Sequence, residues 1–184
     1  MDELRFFYDL ASPEAYVAAE RVVDVLGAVP EFVPVRIGGP GGFRCAEEEA
    51  IHRAEIERAA AACGLLPIVW PPEYPADTEW AMLVATFAKQ TGRVVAYSLA
   101  AFRQAFAAGR DLGERDWVLV AAAAAELHPA AVIKAADLRG TRQRLEEATA
   151  AARAGGVRDV PAVAAGGEVY HGLNGLAAAA GAVA

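Results

Sequence analysis

A strand that runs directly into a helix start constrains this chain more than any other feature. Leu4-Arg5-Phe6-Phe7-Tyr8-Asp9-Leu10 is an apolar, aromatic run that reads as a buried strand, and Ser12-Pro13-Glu14 follows one residue later. Ser is a preferred N-cap, Pro suits the first helical position, and Glu complements the positive end of a helix dipole. Such a junction turns backbone N–H groups and a hydroxyl toward one spot, which favours bound anions, a thiolate among them.

The apolar spacing extends this helix from Pro13 to about Leu26, with Tyr16, Val17, Val22, Val23 and Leu26 on one stripe. Residues 31–35 read as a second short strand, and Pro34 marks it as an edge or a strand end. The loop Gly38-Gly39-Pro40-Gly41-Gly42 lacks the Lys-Ser/Thr ending of a phosphate loop and reads as a flexible connection. Residues 46–62 are helical by composition, with Gly64 as a C-cap. Pro67, Pro71, Pro72 and Pro75 then mark an extended stretch that carries Trp70 and Tyr74. Helical patterns recur over 77–91, 98–109, 115–127, 129–136 and 141–154. Residues 157–163 and 168–170 read as strands joined by a Gly166-Gly167 turn, and an Ala-rich helix closes the chain from about Asn174. The order β-α-β, helical block, β-β-α describes an α/β thioredoxin-like fold. Residues 1–40 and 141–184 would form the thioredoxin-like domain, with 41–140 as an inserted helical domain.

Bulk composition narrows the function classes. With 55% apolar and 22% charged residues over 184 positions, the chain can bury a sizeable core. A net charge of −7, with no block of Lys or Arg, argues against nucleic acid as a partner. The longest apolar run, residues 117–125, is far shorter than the roughly 20 residues a membrane helix needs. Cys45 and Cys63 show no Cys-x-x-Cys and no metal-ligand spacing with the three histidines, so reduced thiols and no metal are expected. A strand bearing Asp2, Glu3 and Arg5 stands where an export signal would be read, so the expected location is the cytoplasm.

Two segments resemble a known family. The first is Phe6-Phe7-Tyr8-Asp9-Leu10-Ala11-Ser12-Pro13-Glu14-Ala15-Tyr16; the second runs through Thr149, Ala152, Gly156-Val157, Val160-Pro161 and Gly172. Both are similar to the branch of the DsbA-like thioredoxin superfamily that contains 2-hydroxychromene-2-carboxylate isomerases and kappa-class glutathione transferases. Glu55-Ile56-Glu57-Arg58-Ala59, Gly64 and Pro67 add a weaker match. The resemblance implies a glutathione-dependent isomerase or transferase, homodimeric, acting on a conjugated, aromatic carbonyl compound. It implies that Ser12 hydrogen-bonds the glutathione sulfur, that Pro161 is cis, and that the Val160 backbone pairs with the tripeptide. Trp70 and Tyr74 are the candidate walls of a substrate pocket. Thiol–disulfide exchange would need cysteines where Ser12 and Ala15 stand.

Some positions depart from the family pattern. Asn174 and Gly175 replace an Asp-Arg pair, of which the Asp helps hold the γ-glutamyl end, so Asn174 offers a hydrogen bond without a charge. Glu73 stands nearest to a position that often carries a contacting Asn, and Asp159 and Ala162 replace Gly and Thr around Val160-Pro161. These changes raise an alternative: a catalytically inactive small-molecule-binding protein on the same fold. Of the histidines, all expected to be surface or structural, His171 is placed nearest the site.

Overall fold

The computed structural model describes residues 4–38 and 43–183. Four strands, β1 (Arg5–Tyr8), β2 (Glu31–Pro34), β3 (Ala162–Ala165) and β4 (Glu168–His171), form one sheet in the order β2-β1-β3-β4. β1 runs parallel to β2 with Phe6 beside Phe32, and antiparallel to β3 with Phe6 beside Val163; β3 and β4 are antiparallel. The polar-poor run at 6–8 follows from this central place, because both faces of β1 are covered. Phe6 and Tyr8 join Leu10, Phe32, Met82, Tyr97 and Phe102 in one core, while Phe7 turns to the other face against Val33, Val157, Val160 and Ala162.

The helices are α1 (Pro13–Ala19), α2 (Val22–Leu26), α3 (Ala46–Ala62), α4 (Glu79–Gln90), α5 (Val94–Phe102), α6 (Arg115–Ala124), α7 (Pro129–Ala136), α8 (Arg139–Ala154) and α9 (Gly172–Val183). α3 to α7 fill the interval between β2 and α8. α4 and α5 supply Met82, Tyr97 and Phe102 to the core on the Phe6 side; α8 supplies Ala152 to the Phe7 side. This is the layered arrangement expected from the order of elements. The glycine-rich loop is described only at Gly38; its residues 39–42, and the expected boundary at 40/41 with them, lie outside the described residues.

Several bounds differ from the sequence expectation for identifiable reasons. The single helix expected over 13–26 is broken after Ala19, where Arg21 N–H bonds the carbonyl of Ala18, three residues back. The Glu20 side chain there reaches a two-pronged pair with Arg103, both contacts at 2.7 Å. α5 starts at Val94 rather than 98, since fully buried Tyr97 donates its hydroxyl to the Ala81 carbonyl and packing overrides the weak helix preference of Val94 and Val95. It then widens into a π-helical turn, Arg103–Ala107, closed by Ala108 N–H to the Arg103 carbonyl. β3 begins at Ala162, not 157, because Pro161 has no N–H to give a ladder. Gly166 and Gly167 both take positive φ, 60° and 81°, as a two-residue hairpin turn requires. Among the described residues, no helix is long and apolar enough to cross a membrane, and no group of three or more His, Cys, Asp or Glu is placed to hold a metal ion.

Candidate functional site

Where β1 ends, its neighbour segments bring Ser12 and Val160 together. Ser12 is the N-cap of α1, in extended backbone (φ −91°, ψ 115°), and its Oγ accepts the Ala15 N–H at 3.1 Å. The same Oγ lies 3.1 Å from Glu14 Oε2 and 3.5 Å from the Val160 carbonyl oxygen. A hydroxyl has one proton, so it donates to one of these at a time, and the shorter contact with a carboxylate takes it. The Val160–Pro161 peptide is cis, and the Pro161 carbonyl accepts Gly172 N–H at 2.8 Å, tying this segment to the start of α9. α1 is only seven residues long, so the hydroxyl and the Val160 backbone, rather than a helix dipole, define the spot.

Val160 N–H is already used. It donates to Asp159 Oδ1 at 2.8 Å, and that carboxylate rests on Gly38. Gly38 has φ +68°, and a Cβ there would stand 2.1 Å from Asp159 Oδ1, so any side chain would be strained and would displace the carboxylate. The backbone donor expected to meet a ligand is thus capped from within the chain.

Behind Ser12, Asp9 is buried and linked to three partners: it accepts Ala11 N–H and the Thr78 hydroxyl, each at 3.0 Å, and faces Arg36 at 3.4 Å. Burial pushes its carboxyl above the ordinary range, while the Ala11 N–H, Arg36 and Thr78 pull the other way. These contacts fix the β1–α1 turn that aims Ser12.

On the other side Glu14 reaches the inserted helices. His52 Nδ1 of α3 lies 3.7 Å from Glu14 Oε1, and His52 Nε2 is 3.0 Å from the Tyr74 hydroxyl. Phe43 packs 5.3 Å from the imidazole, and the Tyr74 ring lies end-on to it, nearly coplanar at 13° with centroids 6.3 Å apart. Trp70 meets Tyr74 edge-on at 4.8 Å and donates its indole N–H to Glu57 at 2.7 Å; Arg53 covers both rings at 4.8 and 5.3 Å. Burial pushes the Tyr74 hydroxyl up, helped by the charges of Glu14 and Glu49 against that of Arg53, so it stays protonated. Tyr74 also lines a crevice with Leu10, Ala11 and Phe106, but its volume of about 10 Å³ is no more than one water needs. A roomier cleft, about 410 Å³, lies elsewhere, lined by Arg36, Glu79, Arg142, Glu146 and Arg153.

Of the histidines, His52 faces Glu14 beside Ser12, His171 pairs with Ala162 next to Pro161 and accepts Arg158 N–H at Nε2, and His128 caps α7. Asn174 is exposed in the first turn of α9, and among the described residues no hydrogen bond joins it to Ser12. Gly175 has a packing reason, since a Cβ would fall 2.8 Å from the Tyr170 carbonyl carbon. Glu73 is exposed, and among the described residues it forms no hydrogen bond or ion pair with Ser12 or Val160. Glu14 and His52 escaped sequence reasoning because only the fold sets α1 against α3.

A family model for the DSBA-like thioredoxin domain matches residues 3–184. The chain belongs to that family. Among solved structures it is similar to a 2-hydroxychromene-2-carboxylate isomerase, with 18% identity, 92% of this chain and 88% of that one covered, and a TM-score of 0.81. It is also similar to a probable DsbA oxidoreductase from Streptomyces coelicolor, with 19% identity, 100% and 88% coverage, and a TM-score of 0.77. No curated protein sequence matches it significantly. At these identities the two likenesses describe the fold alone. This DsbA-like chain carries Ser12 and Ala15 at the start of α1, and its two cysteines, exposed Cys45 and half-buried Cys63, are unpaired.

Proposed function

We propose that the protein is a glutathione-dependent isomerase or transferase acting on a conjugated, aromatic carbonyl compound. The observation that carries this reading is the approach of Ser12 Oγ to 3.5 Å from the Val160 carbonyl at a cis Val160–Pro161 bond. Ser12 and Val160 fit the sulfur end of the tripeptide: a hydroxyl donor beside a backbone segment that an extended ligand can follow. When bound, glutathione supplies a sulfur nucleophile that adds reversibly to a double bond conjugated with a carbonyl. Ser12 would turn its proton from Glu14 toward the sulfur, lowering the thiol's ordinary value of about 8.5. Val160 would give the ligand backbone its N–H once Asp159 swings away. Asn174 is left to meet the γ-glutamyl end, and Trp70 and Tyr74 wall the aromatic substrate. The reading carries with it a cytoplasmic location and a homodimer, the latter checked by gel filtration.

Calorimetric titration with glutathione, on the wild type and on Ser12→Ala, tests it. Binding in the wild type that is weakened in Ser12→Ala supports it, and absence of heat at millimolar ligand removes the cofactor. A second reading, a small-molecule-binding protein without turnover, is favoured by one pair of observations: the Ser12 proton goes to Glu14 and the Val160 N–H goes to Asp159. Binding of glutathione without turnover of 2-hydroxychromene-2-carboxylate would select it.

A further inference from the structure

Glutathione chemistry needs negative charge on sulfur, yet the nearest side chain to the Ser12 hydroxyl is a carboxylate. We propose that Glu14 decides which charge a sulfur group can carry beside Ser12, and that His52 controls Glu14. With His52 protonated the Glu14–His52 pair is neutral and an anionic sulfur is accepted; with His52 neutral the uncompensated carboxylate rejects it. The assignment rests on the glutathione reading and adds to it a specificity residue and its control.

Three features of the geometry support this. Glu14 uses both oxygens, Oε2 at 3.1 Å from Ser12 Oγ and Oε1 at 3.7 Å from His52 Nδ1, so one carboxylate senses both groups. The imidazole is fixed at two points, by the Tyr74 hydroxyl at Nε2 and by the Phe43 ring 5.3 Å from its centroid, which keeps Nδ1 facing Glu14. The Tyr74 hydroxyl at Nε2 suits either protonation state, because a hydroxyl donates to a bare ring nitrogen and accepts from a protonated one. His52 can therefore gain or lose a proton without breaking that bond. Histidine is the side chain whose charge changes between about pH 5 and pH 8.

The remaining charges around the pair do not replace His52. On α3, Arg53 is engaged with Glu49 at 2.5 Å and lies over Trp70 and Tyr74. From the segment before α3, the Phe43 ring packs on the imidazole while Arg44 pairs with Glu48. From the proline-rich stretch, Tyr74 is neutral. Near Val160, Asp159 adds a second negative charge. Asp9 faces away, toward Thr78 and Arg36.

The test is calorimetric titration with two fixed-charge probes: glutathione sulfonate, anionic at sulfur throughout, and S-methylglutathione, neutral there. Wild type, Glu14→Gln and His52→Gln are each titrated near pH 5.5 and pH 8, ends of the histidine range of about 5 to 8. The wild type should bind the sulfonate about tenfold more tightly at the lower pH, the size of one pKa unit of charge interaction. Glu14→Gln should bind it more tightly than the wild type at both pH values, and His52→Gln should bind it weakly at both, with the pH dependence gone. S-methylglutathione should show none of these differences. If both probes bind and Glu14→Gln leaves the sulfonate affinity unchanged, or His52→Gln keeps the pH dependence, the assignment is overturned while the glutathione reading stands. If neither probe binds any of the three proteins, the glutathione reading itself fails and this one with it. Circular dichroism checks each variant's fold; should Glu14→Gln not fold, a pH dependence retained in His52→Gln overturns the assignment by itself.

Discussion

The contact between Gly38 and Asp159 can be measured without any ligand. Gly38→Ala places a methyl 2.1 Å from Asp159 Oδ1 at a φ of +68°. Left-handed backbone costs a non-glycine residue about 1 kcal/mol. The clash then forces the carboxylate off Val160 N–H; a bond to a charged acceptor contributes about 1.5 kcal/mol at the low end of its range, which suits an exposed Asp159. Gly38→Ala should therefore lose about 2.5 kcal/mol, and Asp159→Ala about 1.5 kcal/mol, by the same two terms. The double variant loses the bond only once and should also sit near 2.5 kcal/mol, a coupling of about 1.5 kcal/mol. Urea unfolding of the four proteins measures this, provided the slope m is unchanged. A coupling below about 0.5 kcal/mol would mean that the two sites are independent and that Asp159 does not lock Val160. Asp159→Ala should in addition bind glutathione more tightly than the wild type, because its Val160 N–H is uncommitted.

Two further predictions concern stability. Within α9, Gly175→Ala should lower the melting temperature, since its Cβ would press within 2.8 Å of the Tyr170 backbone, whereas Gly181→Ala, with open space around it, should gain about 0.5–1 kcal/mol; equal signs in thermal unfolding would refute the packing argument. The Asp9 carboxyl is raised in the fold by burial, against the pull of the Ala11 N–H, Arg36 and Thr78. A raised carboxyl value makes the charged form costly to the native state, so stability is lost as pH rises through the folded value and regained as pH falls toward the unfolded value of about 3.9. Asp9→Asn lacks this dependence, and its stability relative to wild type should grow between about pH 4 and pH 7; a constant or shrinking difference in urea unfolding refutes it.

What the amino-acid order conveys here is mostly local. The strand–Ser-Pro junction, α3 over 46–62, α7 over 129–136 and the Gly166-Gly167 hairpin each rest on caps, turns or composition within a few residues, and each stands close to where those signals put it. The break at Glu20–Arg21 and the early start of α5 depend on partners outside those segments: Glu20 meets Arg103, and Tyr97 meets Ala81. The site divides the same way. Ser12 and Pro161 are visible as motif positions, but the hydrogen bonds that commit Ser12 to Glu14 and Val160 to Asp159 depend on side-chain orientation. The approach of His52 to Glu14 also needs the three-dimensional arrangement of α1 and α3, since the 37 intervening residues carry no trace of it.

The helix that carries Ser12 is fastened at both ends to the inserted helices: Glu14 faces His52 of α3 at its start, and Glu20 grips Arg103 just past its end. Val160, in contact with Ser12, belongs instead to the segment feeding β3 and answers to the sheet. The two partners thus rest on cores at opposite faces of β1, α1 on the Phe6 side and Val160 on the Phe7 side. A packing defect on one face would displace one of them and leave the other where it stands.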